Sequence, residues 1–388
     1  MRRMSSRSES GVVLPMVLIF MIALTIVGLA LLHATVLEHK LTTREVYRNQ
    51  AFFLADAGID HLTYKLYHWE QPSLIDWTPL ADGQYQVVVV GDYSALPAYA
   101  ESTGQRLKDG EVKAEQKIRV TIGSEGIFSF AVFADESLRM SGASYVEGDI
   151  GTNSIEDSAI TLLGGAAVDG SAVVGPGGEP SEVISGEESI SGTLGALSQP
   201  IPMEPYPLPG PIPVFDSGPL FVPGGDEQTL PVVAYGYYYY SEMTVNGHLI
   251  IDQPCTLVVD RLRVQGGGGA GMITIRNVTF PDSVVFYITD EASLAGSGIV
   301  NESDDARTLY IYGTETCSSI SFSGSRDLVA AVYAPEADIS CTGDALIVGS
   351  LIGNTIDING NPEVIYDPNL GGPSVPSFLV LRDWQQVF

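Results

Sequence analysis

The chain has 388 residues, with 19 Lys and Arg against 47 Asp and Glu, for a formal net charge of −28 at neutral pH. Such a balance repels phosphate backbones and excludes nucleic acid as a partner, while the length allows two or more domains with cores of their own. The charge is also uneven: residues 12–124 hold 9 basic and 12 acidic side chains, whereas 125–388 hold 7 basic, all arginine, against 34 acidic and no lysine. Composition therefore changes near residue 124.

The first element is a stretch from Gly11 to Leu37 without a charged residue. Val12 to Leu32 alone is long enough to cross a bilayer as a helix at about 1.5 Å per residue. Arg2, Arg3 and Arg7 ahead of it hold that end in the cytoplasm and send the rest outward. A cleaved secretory signal is the alternative. The apolar run exceeds the roughly 7–15 residues of a signal core, however, and no A-x-A-like site follows it directly. The sequences Ser10-Gly11-Val12-Val13-Leu14, Thr35-Val36-Leu37-Glu38 and Asn49-Gln50-Ala51-Phe52-Phe53-Leu54-Ala55-Asp56-Ala57-Gly58-Ile59 follow one another along this helix. Over residues 8–68 the chain resembles type IV pilin-like proteins, in particular the PilX class of minor pilins.

The resemblance implies a leader over residues 1–11, cut between Gly11 and Val12 by a prepilin peptidase that methylates the new amino terminus of Val12. It also implies an inner-membrane stage as a single-pass protein with its N-terminus inside. Partners would be the inner-membrane assembly platform, the major pilin and other minor pilins, in a pilus or a secretion pseudopilus, with a final place in the pilus or at the cell surface. Pilins usually carry glutamate at the fifth mature position, where its carboxylate meets a neighbour's terminal amine. Here that position is Met16. A subunit without the carboxylate offers no acceptor to a subunit above it, yet buries no unpaired charge, which points to a minor or tip subunit.

Residues 12–68 are expected to form one helix. No proline interrupts between Pro15 and Pro72, and Ala51, Ala55, Gly58, Leu62 and Leu66 recur at three- and four-residue steps as an apolar stripe. Over 69–124, Gly83–Tyr93, Tyr99–Thr103 and Glu111–Gly123 read as three strands of a small antiparallel sheet closing over that stripe.

From residue 125 to 370 short alternating segments end repeatedly at glycine, as in Leu138–Gly151, Ile160–Gly170, Ile320–Gly324, Ile339–Gly349 and Ile356–Gly360. Recurrence every ~15–25 residues predicts a parallel β-helix, or β-solenoid, whose coils bury their apolar faces by stacking; an all-β sandwich is the competing reading. The fold class is thus α+β followed by all-β. Ten prolines over 199–231 predict an extended polyproline strap along the solenoid or between its halves. Residues 371–388 are left as a tail. Ala334-Pro335-Glu336-Ala337-Asp338-Ile339 and the later Tyr366-Asp367 also resemble the Gly-rich C-terminal module often joined to PilX-type N-termini.

Chemistry is thinly signalled. Beyond residue 124 there is one histidine, His248, and the carboxylate pairs Asp304-Asp305 and Glu187-Glu188 sit in polar stretches that read as solvated loops. No metal or cofactor is called for, and the chain is not read as an enzyme. A tethered polysaccharide-acting enzyme and a pilus-independent adhesin are the alternatives to a pilus subunit. Tyr237, Tyr238, Tyr239 and Tyr240 are candidates for an aromatic surface contact, against the plainer reading of a half-buried strand. Cys255, Cys317 and Cys341 lack a C-x-x-C pattern. Export permits a disulfide, and Cys317–Cys341 is the expected pair, with buried free thiols the alternative.

Overall fold

The computed structural model describes residues 13–68, 70–91, 93, 98–126, 128–208, 218–232, 236–266, 271–324, 327–371 and 377–387. The chain divides into two compact units, the first comprising Met1–Leu66, Glu70–Gly123 and Val380–Phe388, the second Tyr67–Trp69 and Ser124–Leu379. A long apolar helix is thus followed by an all-β unit.

In the first unit the helix α1 runs over Val13–Tyr67, 55 residues. Its C-terminal half packs on a sheet, burying Ala51, Leu54, Ala55, Ile59, Leu62 and Leu66, the stripe that the periodicity requires. Each of the larger aliphatic side chains contributes about 1.5–3 kcal/mol by leaving water. The approach is close because glycine faces the helix: a Cβ on Gly104 would lie 2.1 Å from the Ala51 carbonyl oxygen. One on Gly58 would lie 2.2 Å from Ser102 Oγ.

The sheet is antiparallel through β1 (Leu74–Leu80), β2 (Gly83–Val90), β3 (Ala98–Lys108) and β4 (Glu111–Gly126). Two strands depart from expectation. β1 escapes a pattern search because its ladder shifts register between Ile75 and Thr78 and only Ile75 is buried. The second is Ser377–Val387, which takes the edge beside β4. The presumed tail is therefore a fifth strand. Trp384 meets Phe52 of α1 edge to face at 5.4 Å, and Gln386 donates to Gln116 at 2.7 Å. Alternation fails to reveal this strand because Asp383 adopts a left-handed φ of 53° and breaks the two-residue period.

The second unit is a stack of short parallel strands, 17 of them in one continuous sheet. Inward columns are aliphatic or aromatic, for instance Met243–Leu262–Ala292–Ile320–Ile339–Ile356–Leu138–Ile160. Corners turn on glycine: Gly343, Gly360 and Gly142 lie in register with φ of 95°, 103° and 83°, where a Cβ is unfavourable.

The order of levels is not the order of the chain. Val132–Gly142 enters mid-stack, paired on one side with Leu346–Gly360 and on the other with Ile150–Thr152 and Ile160–Leu162. The chain builds outward to Leu194–Ala196. It restarts at the opposite end with Leu220–Val222 and builds back through Tyr237–Val245, Cys255–Val264, Val284–Leu294 and Leu328–Gly343 to meet its own first level.

The proline-rich segment makes the return. Residues 200–208 carry no regular structure and lie along an outward column of Tyr287, Tyr312, Tyr333, Ile352 and Phe133. Ile201 exchanges two 2.8 Å hydrogen bonds with the Asn153 side chain. Tyr333 donates its hydroxyl to the Glu204 carbonyl at 2.7 Å, and Tyr287 to that of Pro207 at 3.2 Å. Tyr206 stacks on Tyr312 at 4.4 Å. Six residues of polyproline rise cover about 19 Å, and five levels of a stack about 24 Å. The side chains at either end make up the difference. Proline explains the mode of attachment: without an N–H it joins no ladder, but its segment still offers carbonyls to donors. The strap is shorter than 199–231, since Leu220–Val222 and Glu227–Thr229 are paired strands; residues 209–217 lie outside the described residues.

Candidate functional site

The largest unpartnered apolar surface among the described residues is the N-terminal half of α1. Leu14, Phe20, Leu24, Leu31 and Leu41 are all at least 60% exposed. The threonines there need no partner, because Thr25 and Thr35 donate to the carbonyls of Met21 and Leu32 one turn back. A helix so long, apolar and internally satisfied meets the requirements of a bilayer. Met16 is 71% exposed on this surface. Gly11 and Val12 lie outside the described residues.

Residues 10–60 match the PilX N-terminal family model. The N-terminus is PilX-like. Residues 222–372 match a second model, described as a domain of unknown function, DUF7305. That match begins after the strap, so the levels formed by 132–197 lie outside it. No curated protein matches the sequence.

Among solved structures the chain is similar to an ice-binding protein from the Antarctic ascomycete Antarctomyces psychrotrophicus, at 16% identity over 62% of this chain and 95% of that one, TM-score 0.34. The DUF3494 domain of ice-binding protein_1 of Shewanella frigidimarina gives 15% identity over 62% and 95%, TM-score 0.33. The competence-associated pilin ComZ from Thermus thermophilus gives 14% identity over 88% and 97%, TM-score 0.25.

The tyrosine run is not a surface platform. Tyr238 and Tyr240 point inward and are buried, and Tyr238 donates to the Pro231 carbonyl at 2.5 Å. Tyr239 is half-buried and donates to Asp260 at 2.9 Å. Strand alternation sends every second residue of such a run into the core. An aromatic column does form at Tyr287, Tyr312 and Tyr333, and the strap covers it. Burial pushes the hydroxyl pKa of all three up, so they remain donors well above neutral pH. What the sequence lacked was register: these three tyrosines are far apart in the chain and meet only when levels stack.

The expected disulfide is also corrected. Cys255, Cys317 and Cys341 are all free and buried. In the parallel ladder the residue beside Cys341 is Phe322, with Cys317 on the turn preceding that strand. Burial raises each thiol pKa to about 12.

The acidic pairs are structural or solvated. Asp305 caps a turn through the Arg307 amide and pairs with the Arg307 guanidinium at 2.7 Å, which holds its carboxyl below the usual range. That guanidinium sits 4.1 Å from the Phe280 ring centre. Glu187 and Glu188 are exposed on a single turn. His248 bridges three levels, with Nδ1 at 3.0 Å from Glu227 and Nε2 at 2.8 Å from Thr274 Oγ1. Thr274 is 5% exposed, which closes its hydroxyl to a substrate and leaves the row as a tie between levels. Tyr366 and Asp367 are anchors too. The Tyr366 hydroxyl donates to the Phe128 carbonyl at 2.8 Å, and Asp367 accepts from the Asn369 amide at 2.9 Å.

Proposed function

We propose that the chain is a minor subunit of a type IV pilus or a related secretion pseudopilus, presenting an acidic β-solenoid at the tip or initiating end. The observation carrying the reading is the exposed apolar half of α1, uncharged from Val13 to Leu37, inside a segment that matches the PilX N-terminal model. In this reading Gly11–Val12 is the peptidase site and Val12 the methylated terminus. The helix waits in the inner membrane and then packs among the helices of the major and other minor pilins. The parallel stack, with its glycine corners and aliphatic inward columns, is read as the solenoid. Met16 supports the end position. It offers no carboxylate to a subunit above, while the Val12 amine can still reach the glutamate of a subunit added below.

Mass spectrometry of the protein recovered from sheared surface fibres tests both parts. The expected product begins at N-methylated Val12 and is scarce relative to the major pilin. A mature terminus elsewhere would sink the pilin reading, and immunogold decoration along the whole shaft would sink the tip assignment.

A further inference from the structure

One face of the stack is closed by the strap; the adjoining face carries no cover among the described residues. Its outward positions form a grid. Ser319 and Ser321 lie beside Asp338 and Ser340, which lie beside Thr355 and Asp357, all in unbroken parallel register. Neighbours are about 4.8 Å apart across levels and about 6.6 Å apart along each strand. All six side chains are short and polar, and all are half-buried or exposed. Of the four hydroxyls, Ser321 donates to the Ala292 carbonyl at 3.3 Å and Thr355 to Asp338 at 2.7 Å, and among the described residues Ser319 and Ser340 have no side-chain hydrogen bond. The next level adds Arg139, exposed and in register with Asp357.

We propose that this grid is a binding face for an ordered, uncharged polysaccharide surface. Its regularity, its hydrogen-bonding groups and its charge select that partner. The face repeats at fixed intervals without a bulge over Ser319–Phe322, Asp338–Gly343 and Thr355–Gly360, which suits a ligand that also repeats rigidly. It lacks apolar side chains, which excludes lipid and apolar protein surfaces. Its hydroxyls both donate and accept, and its carboxylates accept from paired sugar hydroxyls. The net charge of −28 disfavours anionic polymers. The carboxylates and Arg139 hold water in their own hydration shells, which opposes an ice-like layer and favours glycan over ice. The proposal goes beyond the pilus reading and stands whichever way that reading falls.

The test is co-sedimentation of full-length, detergent-solubilised protein with microcrystalline cellulose and with chitin, beside ice-affinity partitioning. Wild type is expected to leave the supernatant with at least one of the polymers. Ser340→Tyr, which raises a ring from the centre of the grid, is expected to weaken retention at least tenfold. Ser198→Tyr, on an exposed position just after Leu194–Ala196, several levels outward from the grid, is expected to leave it unchanged. Asp357→Asn keeps shape and fold and is expected to lose several-fold, which covers the case of a misfolded tyrosine variant. Failure of wild type to sediment with either polymer overturns the proposal, as does equal retention of wild type, Ser340→Tyr and Asp357→Asn. Partition into ice without polysaccharide retention overturns it in favour of ice.

Discussion

Gly104 shows how little side chain the helix–sheet contact admits. Its missing Cβ is replaced by the α1 backbone itself, with Ala51 O at 2.1 Å and Ala55 N at 2.3 Å from where that atom would stand. Backbone cannot rotate aside as a flexible side chain does, so Gly104→Ala must push the helix off the sheet. We expect a loss of about 1–3 kcal/mol, read from denaturant unfolding of the first unit; an unchanged midpoint would contradict the packing described. The buried cysteines make a second residue-scale case. Neutral thiols are poor nucleophiles, and burial lifts all three from 9.0 to about 12. Alkylation at neutral pH is therefore expected to leave Cys255, Cys317 and Cys341 untouched until denaturant is added, without a reductant being needed. Recovery of a Cys317–Cys341 peptide would contradict this.

At the scale of elements the strap is the informative case, because its attachment depends on the Asn153 amide, two tyrosine hydroxyls and one stacked pair. Tyr206→Ala removes the ring on Tyr312 and is expected to cost about 1–3 kcal/mol. The readout is faster proteolytic cleavage within 200–208. Cleavage at the wild-type rate would mean that the stack contributes nothing to holding the strap. pH acts on the same element. The Tyr287, Tyr310, Tyr312 and Tyr333 hydroxyls have folded pKa values above the ordinary 10, that of Tyr310 at about 12, with burial as the largest cause. A group whose folded pKa is raised contributes stability that is intact below its unfolded value and is lost as pH rises through the folded one. Stability of the second unit is thus expected to be insensitive to these groups below about pH 10 and to fall steeply above it. A stability flat across that alkaline window would refute the account.

For the whole molecule the governing fact is an insertion. Apart from Tyr67–Trp69, the second unit enters the sequence between β4 and the strand Ser377–Val387, which are neighbours in one sheet. Within the second unit the entering and leaving segments are neighbours as well, since Val132–Gly142 pairs with Leu346–Gly360 and Tyr145–Glu147 with Glu363–Tyr366. The first unit is therefore complete only once the last residues of the chain have returned. Truncation after Gly371 is expected to destabilise the first unit well beyond Trp384→Ala, which removes the Phe52 contact and the side-chain hydrogen bond to Asp56 and should cost about 1–3 kcal/mol. The comparison is made by thermal melts of the two variants, and equal melting would show that the returning strand adds nothing but its tryptophan.

The apolar helix, the stripe from Ala51 to Leu66, the change of texture near residue 124 and the existence of a proline strap were all legible in the amino-acid sequence. Each depends on neighbours a few residues apart, where periodicity and backbone restriction act directly. The strand Ser377–Val387, the tyrosine column under the strap, the free state of Cys317 and Cys341, and the grid from Ser319 to Asp357 were not. The tyrosine column, the cysteines and the grid are fixed by parallel register between residues from 17 to more than 200 positions apart, and the strand Ser377–Val387 by its place beside β4; a slip of one residue would exchange the inward and outward sides of a strand. Sequence determined which segments would bury a face; only the tertiary stack decided which side chains would stand next to one another on the faces left outside.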